Sequence, residues 1–134
     1  MITFSNAVIN DRLLALTRAL DANSNPGKLL IYGGTAPVAG QSTSETLLCE
    51  LTFPKPSAGN YSNKTLAINN PNPALALASG TVTWARLVDG SNAWVADCNA
   101  GGQGSNAVVQ VQNENGELYA GGNVTVTLAQ IAEV

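Results

Sequence analysis

The stretch that most constrains the fold is residues 80–106, GTVTWARLVDGSNAWVADCNAGGQGSN. Apolar and polar residues alternate over 81–88 and 93–97, and the turn-forming sequence Asp-Gly-Ser-Asn lies between these runs. Alternation with a period of two is typical of strands, and a short Asp-Gly turn between two such runs predicts a β-hairpin. The sequence GGQG at 101–104 predicts a flexible tip after the second strand.

Runs with the same period recur further along the chain. The clearest lie at 29–32, 47–53, 65–69, 107–112 and 123–134, separated by Gly, Asn and Pro. About seven or eight short strands at this spacing predict a mainly β fold, an antiparallel two-sheet sandwich with a jelly roll as the favoured topology. An immunoglobulin-type Greek key is the alternative, but both tryptophans lie late in the segment between the two cysteines.

Residues 6–22 carry a helical pattern. One apolar stripe with spacings of three and four residues is formed by Ile9, Leu13, Leu16 and Leu20. Ser5 or Asn6 can cap its start, and Asn-Ser-Asn-Pro-Gly at 23–27 ends it. The sequence therefore predicts one N-terminal amphipathic helix.

A length of 134 residues suits a single domain with one core. We expect a single β-sandwich domain over 1–134, with the helix at 6–22 and the sandwich at 28–134. The apolar stripe of the helix is expected to pack on the body of this domain; docking on a partner is the alternative.

The charge content limits the kinds of partner. Charged residues make up 11% of the chain, the net charge is −3, and the six basic residues are scattered singly. A footprint for a phosphate backbone is absent, so nucleic acid is not expected as a partner. No apolar run approaches the ~20 residues that span a bilayer, and MITFSNAVIND lacks the features of a signal peptide, so we expect no membrane association and synthesis in the cytoplasm.

Catalytic chemistry has few candidate residues. The chain has no histidine, which is the usual general base and a common metal ligand. A carboxylate pair could be drawn from Asp89, Asp97, Glu114 and Glu117, but each lies in or beside a turn, where acids commonly bind the local backbone. Asp97 and Asn99 offer oxygens at alternate positions without the further acids of a calcium loop. We predict no enzyme, no cofactor and no metal.

The two cysteines, Cys49 and Cys98, each continue the apolar face of a predicted strand. Buried thiols that act as small hydrophobic side chains are therefore favoured over a disulfide.

The pair Trp84 and Arg86 lies on one face of its predicted strand. It is either an aromatic and cationic contact site for a partner, or a buried tryptophan with Arg86 reaching the rim or pairing with a carboxylate. Leu75 and Leu77, in an irregular stretch, likewise either line the core or form a contact patch.

Two long polar segments, 33–46 and 54–64, are the predicted contact loops. Loops of this length in a small domain are uncommon and usually either bind or are disordered. Tyr61 is the predicted anchor, because an aromatic side chain with a polar tip suits an interface. The full set of candidate partner-binding residues is Tyr61, Asn60, Asn63, Arg86, Pro37 and Val38.

The order of these signals resembles the small β-rich virion proteins of tailed bacteriophages, in particular capsid cement or decoration proteins with a jelly-roll fold. The matching pieces are the leading helix, LLIYGGTAPVAG (29–40), LLCELTF (47–53), GTVTWARLVDGSNAWVADCNAG (80–101), GSN (104–106) and GGNVTVTL (121–128). The segment NENGELYA (113–120) is longer than in the family pattern, so the last hairpin is expected to differ.

The resemblance implies a non-enzymatic virion protein on the outer capsid surface, made in the cytoplasm of a host bacterium. Its implied partners are the major capsid protein, whose neighbouring subunits it would cement, and further copies of itself, with a dimer favoured over a trimer. The alternative is a carbohydrate- or receptor-binding module of a tail fibre. In that case Trp84, Trp94, Tyr61 or Tyr119 would stack on sugar rings.

Overall fold

The computed structural model describes residues 1–132. Within them the fold is mainly β with one N-terminal helix, as the sequence predicts. In chain order the elements are α1 (Asn6–Leu20), β1 (Lys28–Tyr32), β2 (Leu47–Thr52), β3 (Ala58–Ser62), β4 (Thr65–Ile68), β5 (Ala74–Leu75), β6 (Gly80–Thr81), β7 (Trp84–Val88), β8 (Trp94–Gly102), β9 (Val109–Val111), β10 (Glu117–Leu118), β11 (Asn123–Val124) and β12 (Val126–Ala132).

Eight of the strands form one large curled sheet in the order β2-β1-β7-β8-β9-β12-β4-β3. Its neighbours are antiparallel except β8 and β9, which run parallel. The predicted purely antiparallel arrangement is therefore wrong, because the sheet is mixed, and the jelly-roll sandwich stays a prediction. Side chains from both halves of the sheet share one core, which includes Leu29, Leu51, Val111 and Val126.

The parallel pair forms because β8 runs on to Gly102, through residues for which the sequence predicts a flexible tip. A Cβ on Gly102 would lie 2.2 Å from the carbonyl oxygen of Glu114 and 2.4 Å from that of Asn113. Only glycine therefore allows the strand to pass this backbone.

The return from β8 to β9, residues 103–108, is organised by the buried side chain of Gln110. Its Nε2 donates to the carbonyl oxygen of Ser105 at 2.6 Å and to that of Ala107 at 3.2 Å. Its Oε1 accepts the backbone N–H of Gly104 at 3.1 Å. These bonds satisfy a buried polar side chain and hold the return compact.

Helix α1 packs on its own domain, which confirms the preferred interpretation of its apolar stripe. Ser5 caps it by accepting the N–H of Val8 at 3.3 Å, and the helix ends at Leu20, two residues before the predicted boundary. Ile9 and Leu13 pack with Leu66 of β4, while Leu20 enters the main core. This helix is too short and too polar to cross a membrane, and it is the only helix described over residues 1–132.

The four shortest strands form a two-stranded ribbon over the side of the sheet. The pairs β5–β11 and β6–β10 keep the same register, so residues 74–81 lie antiparallel to 117–124. Along the ribbon, Ala76, Leu118 and Val124 are buried.

The ribbon and the residues just before it also cover the outer edge of β2. Leu77 donates its N–H to the carbonyl oxygen of Leu48 at 2.7 Å, and Asn72 donates to that of Thr52 at 2.9 Å. These hydrogen bonds occupy the outer edge of β2, so this end of the eight-stranded sheet is not left open.

The last predicted strand, 123–134, is split in the structure. Val124 ends β11 and Val126 begins β12, and a bulge follows between Val126 and Leu128. Val124 and Val126 are buried, whereas Leu128 is half-buried. Glu133 and Val134 lie outside the described residues.

Candidate contact surfaces

An ion pair between Arg86 and Asp97 lies at the centre of one candidate surface. The two residues are direct cross-strand partners on β7 and β8. Nε of Arg86 donates to Oδ1 of Asp97 at 2.7 Å and Nη2 donates to Oδ2 at 3.0 Å, a bidentate arrangement. The side chains of Arg86 and Asp97 are only 12% and 11% exposed.

An aromatic stack supports this ion pair. The rings of Tyr32 and Trp84 are stacked, with centroids 4.4 Å apart, and the Arg86 guanidinium lies 5.3 Å from the centroid of the Trp84 ring. Trp84 is buried and donates its indole N–H to the carbonyl oxygen of Gly33 at 3.1 Å. The structure therefore follows the second interpretation of the pair, a buried tryptophan with Arg86 bound to a carboxylate.

The ion pair also fastens the segment 33–46. Nη2 of Arg86 donates to the carbonyl oxygen of Gln41 at 2.8 Å, and the N–H of Gly40 donates to Oδ2 of Asp97 at 3.1 Å. Gly40 has a φ of +79°, and a Cβ there would lie 3.3 Å from the Trp94 ring. Trp94 in turn donates its indole N–H to Oδ1 of Asp97 at 3.1 Å.

Asp97 thus accepts four hydrogen bonds. The bond from Arg86, followed by those from Gly40 and Trp94, holds the pKa of this carboxyl below its usual range, and the same bond raises the pKa of Arg86. A carboxylate with both oxygens occupied has no free position for a metal or a substrate proton. Among residues 1–132, no group of three or more His, Cys, Asp or Glu could hold a metal ion.

Above this centre the segment 33–46 presents apolar side chains to solvent. Val38 is 78% exposed and Trp94 is 49% exposed, while Pro37 is half-buried. The N–H of Gln41 donates to the carbonyl oxygen of Val38 at 2.9 Å and closes the turn that carries Gly40 to the Trp94 ring. We call Pro37, Val38 and Trp94 the loop-tip patch.

A cleft of about 300 Å³ lies between the start of segment 33–46 and the strands β7 and β8. It is lined by Gly34, Ala36, Thr83, Trp84, Asp97, Cys98 and Asn99. Three of the predicted contact residues, Arg86, Pro37 and Val38, therefore belong to one region of the molecule. Within it Arg86 positions the loop and is not itself exposed.

The other three predicted contact residues lie elsewhere. Residues 58–62, predicted as part of a loop, form β3, and a two-residue turn joins it to β4. Asn63 and Lys64 in this turn have φ values of +49° and +64°, as a type I′ hairpin turn requires. The loop prediction for this segment is therefore wrong, because the turn lacks the glycine that usually reveals it.

On this hairpin Tyr61 is 47% exposed, and Asn60 and Asn63 are also exposed. β3 is the last strand of the sheet, and β8, β9, β12 and β4 lie between it and β7 in the strand order. The six predicted residues are therefore divided between two regions, and a role for them in partner binding stays a prediction.

A third apolar surface lies on the outer face of the ribbon. Leu75, Leu77 and Tyr119 are exposed, and we call them the ribbon patch. Leu75 and Leu77 do not line the core, and a role for them in a contact patch stays a prediction. In the sequence, the alternation of Leu75 and Leu77 with Ala76 indicates a strand, but the prolines that precede it favour a loop.

Two of the other candidate catalytic carboxylates, Asp89 and Glu117, form hydrogen bonds with residues close to them in the sequence. Oδ1 of Asp89 accepts the Ser91 hydroxyl at 2.8 Å and the N–H groups of Ala93 and Ser91, each at 2.9 Å. The bond from the hydroxyl, followed by those from the backbone, lowers the pKa of Asp89. Oε2 of Glu117 accepts the Tyr119 hydroxyl at 2.7 Å, which raises the pKa of Tyr119. The prediction of local backbone bonding is confirmed for Asp89.

Both cysteines are free, as predicted. Cys49 is buried and Cys98 is half-buried. Burial raises the pKa of Cys49 to about 11 and that of Cys98 to about 12. Both thiols are therefore protonated at neutral pH and are weak nucleophiles.

Comparison of the chain with protein-family models, curated proteins and solved structures returns no match.

Proposed function

We propose that the chain is a non-enzymatic virion structural protein that binds the outer surface of a phage capsid and cements neighbouring major-capsid subunits. The observation that carries a binding role is the loop-tip patch. It combines an exposed valine, on a loop that the Arg86–Asp97 ion pair holds in place, with a half-exposed tryptophan at the start of β8 that the same pair orients. The capsid as the partner comes from the sequence resemblance alone.

A fixed apolar surface favours binding because little conformational entropy is lost when the partner docks. Tryptophan is among the residues that contribute most to protein interfaces when a partner covers them. Trp94 is already oriented by its hydrogen bond to Asp97 and by Gly40 against its ring. The low charge content, 11% of residues, suits contacts that salt does not weaken.

The wider proposal has three parts. The protein would be made in the cytoplasm of a host bacterium and would act on the capsid surface. It would associate with copies of itself. Its sheet would be related to a jelly roll. The shared core between the halves of the curled sheet is compatible with a sandwich. The parallel β8–β9 pair departs from the antiparallel pattern of jelly rolls.

Binding to empty shells of the encoding phage tests the proposal. We expect the wild-type chain to bind shells that lack it and to raise the temperature at which full shells release DNA. Val38→Asp should lower occupancy at least tenfold, whereas Leu75→Asp, an equal change on the ribbon patch, should not. Unchanged heat resistance with and without the chain would contradict cementing, and a loss of binding confined to Leu75→Asp would move the contact to the ribbon patch.

The second candidate, a carbohydrate-binding module of a tail fibre, is favoured by one observation. Trp94 is half exposed, and its indole N–H is bound to Asp97, which lines the cleft of about 300 Å³. An exposed indole in this position can stack on a sugar ring. Because Trp84 is buried, a sugar should change the fluorescence of Trp94 alone. Saturable quenching by bacterial surface polysaccharide that is lost in Trp94→Phe would favour this candidate over cementing.

A further inference from the structure

We infer that the open edge of β3 is a strand-addition site for a second copy of this chain. Two β3 strands would pair antiparallel about a two-fold axis at Tyr61 and join two sheets into one. This inference deepens the proposed function, because it names the surface through which copies associate.

The first observation is that the outer edges of the two end strands, β2 and β3, differ in their hydrogen bonding. At β2, Leu77 of the ribbon and Asn72, just before the ribbon, donate hydrogen bonds to the carbonyl oxygens of Leu48 and Thr52. At β3, within residues 1–132, Asn60–Ser62 are exposed and have hydrogen bonds only within the hairpin with β4. An edge strand with unpaired backbone groups is a template for another strand.

The second observation identifies which backbone groups are open. In a two-residue hairpin, the residues that flank the turn exchange both hydrogen bonds; here they are Ser62 and Thr65. The next pair, Tyr61 and Leu66, is then a non-hydrogen-bonded pair. The N–H and C=O of Tyr61 therefore point away from β4, toward the open edge.

This geometry is self-complementary, which is why a second copy is the partner. When two identical strands run antiparallel about Tyr61, each Tyr61 donates its N–H to the carbonyl oxygen of the other. Such pairing places the same patch of both copies at the interface, as two-fold symmetry requires. The exposed Tyr61 rings then become cross-strand neighbours.

The charge pattern permits the same pairing. Residues 57–63, SAGNYSN, contain neither a charge nor a proline, two features that commonly block edge strands. The bulge between Ala58 and Tyr61 confines the expected pairing to the residues around Tyr61. Lys64 follows the strand, and in an antiparallel pair the two Lys64 side chains lie at opposite ends of the interface. No like charges are brought together.

The open edge is short, so the expected dimer is weak and forms at high local concentration, as on a repeating shell. Sedimentation velocity of the purified chain over a wide concentration range should show a reversible monomer–dimer equilibrium. Tyr61→Lys should weaken dimerisation at least tenfold, because it places two ammonium groups side by side. Tyr119→Lys is the matched control, since Tyr119 is exposed on the ribbon, and should leave the equilibrium unchanged.

A cross-linking test reports the register directly. Directly opposed residues of a hydrogen-bonded pair have Cα atoms about 5.5 Å apart, within reach of a disulfide. Tyr61→Cys should therefore form a covalent dimer under mild oxidation, and Tyr119→Cys should not. Cys49 and Cys98 should not compete, because burial raises the pKa of both thiols.

A monomer at every concentration would overturn the inference, as would equal cross-linking of Tyr119→Cys. A dimer that survives Tyr61→Lys would also overturn it, provided that circular dichroism shows both lysine variants folded. These outcomes are separable from the proposed function. A monomer that still protects shells contradicts the edge dimer alone, and a Tyr61-dependent dimer that does not bind shells contradicts cementing alone.

Discussion

The segments 33–46 and 54–64 have similar composition but are ordered by different interactions. The first is an irregular loop held from outside, by Arg86 and Asp97 on strands that follow much later in the chain. The second contains β3, which is held by a neighbouring strand through a tight turn at Asn63 and Lys64. A polar sequence that contains Gly, Pro and Ser therefore does not reveal whether a segment is fixed, nor which interactions fix it.

The difference has a consequence for how each segment presents a surface. The loop-tip patch depends on one buried ion pair, so its geometry can be removed by a single substitution far along the chain. The edge at Tyr61 depends on backbone pairing, so changes to side chains leave its hydrogen-bonding groups in place.

The largest expected effect is from Asp97→Ala. The two side chains are largely but not fully buried, so removing one partner should cost about 3 kcal/mol in the free energy of unfolding, the lower end of the range for buried pairs. Urea denaturation measures this, with Glu50→Ala as the control, because the pair of Lys28 and Glu50 is partly exposed at 3.9 Å and should contribute less than about 1 kcal/mol. Equal losses from the two variants would contradict the central role of the Arg86–Asp97 pair.

A smaller effect is expected in the pH dependence of stability. The pKa of Asp97 is lower in the folded than in the unfolded chain, so its contribution is complete above the unfolded pKa of about 4 and is lost as pH falls through the folded pKa. Thermal melts between pH 2 and 6 should show this loss. In Asp97→Asn the decline below about pH 4 should be shallower; a parallel decline would assign the acid sensitivity to other groups.

In the hairpin, Lys64→Gly should raise the free energy of unfolding by about 0.5–1 kcal/mol. Lys64 has a φ of +64°, which costs about 1 kcal/mol for a residue with a Cβ and much less for glycine. Lys64→Ala keeps the Cβ and is the control for loss of the charge. If both variants raise the free energy of unfolding equally, the cause is removal of the lysine charge and not the change in backbone conformation.

The smallest expected effect is from Tyr61→Ala. The side chain is half exposed on an edge strand, so the free energy of unfolding of the monomer should change by less than about 0.5 kcal/mol. Differential scanning calorimetry at low concentration measures this. A loss above about 2 kcal/mol would show that Tyr61 is part of the core and would remove it as a contact anchor.

Local patterns predicted the local elements. The stripe of Ile9, Leu13 and Leu20 predicted the helix and its buried face, and Asp-Gly-Ser-Asn at 89–92 predicted the hairpin of β7 and β8. These elements form from residues close in sequence, so their periodicity is visible without the rest of the chain.

Features that depend on distant residues were not predictable. Gly102 continues β8 because the backbone at 113–114 passes close by, and nothing in GGQG indicates that approach. A carboxylate partner for Arg86 was one of two predicted alternatives, but the identity of Asp97 follows from the register of β7 and β8. The same register brings Arg86 and Asp97 together, and their hydrogen bonds hold segment 33–46 in place.

The position of β12 has a consequence for the order in which the protein folds. β12 lies between β9 and β4, yet it is made long after the β3–β4 hairpin. Until β12 docks, the β4 edge of the hairpin is unpaired and the β3 edge is open, although α1 packs on the hairpin. Closing such a non-local sheet is slow, so a nascent chain passes through a stage in which two strand edges can pair with a neighbouring nascent chain instead of with β12.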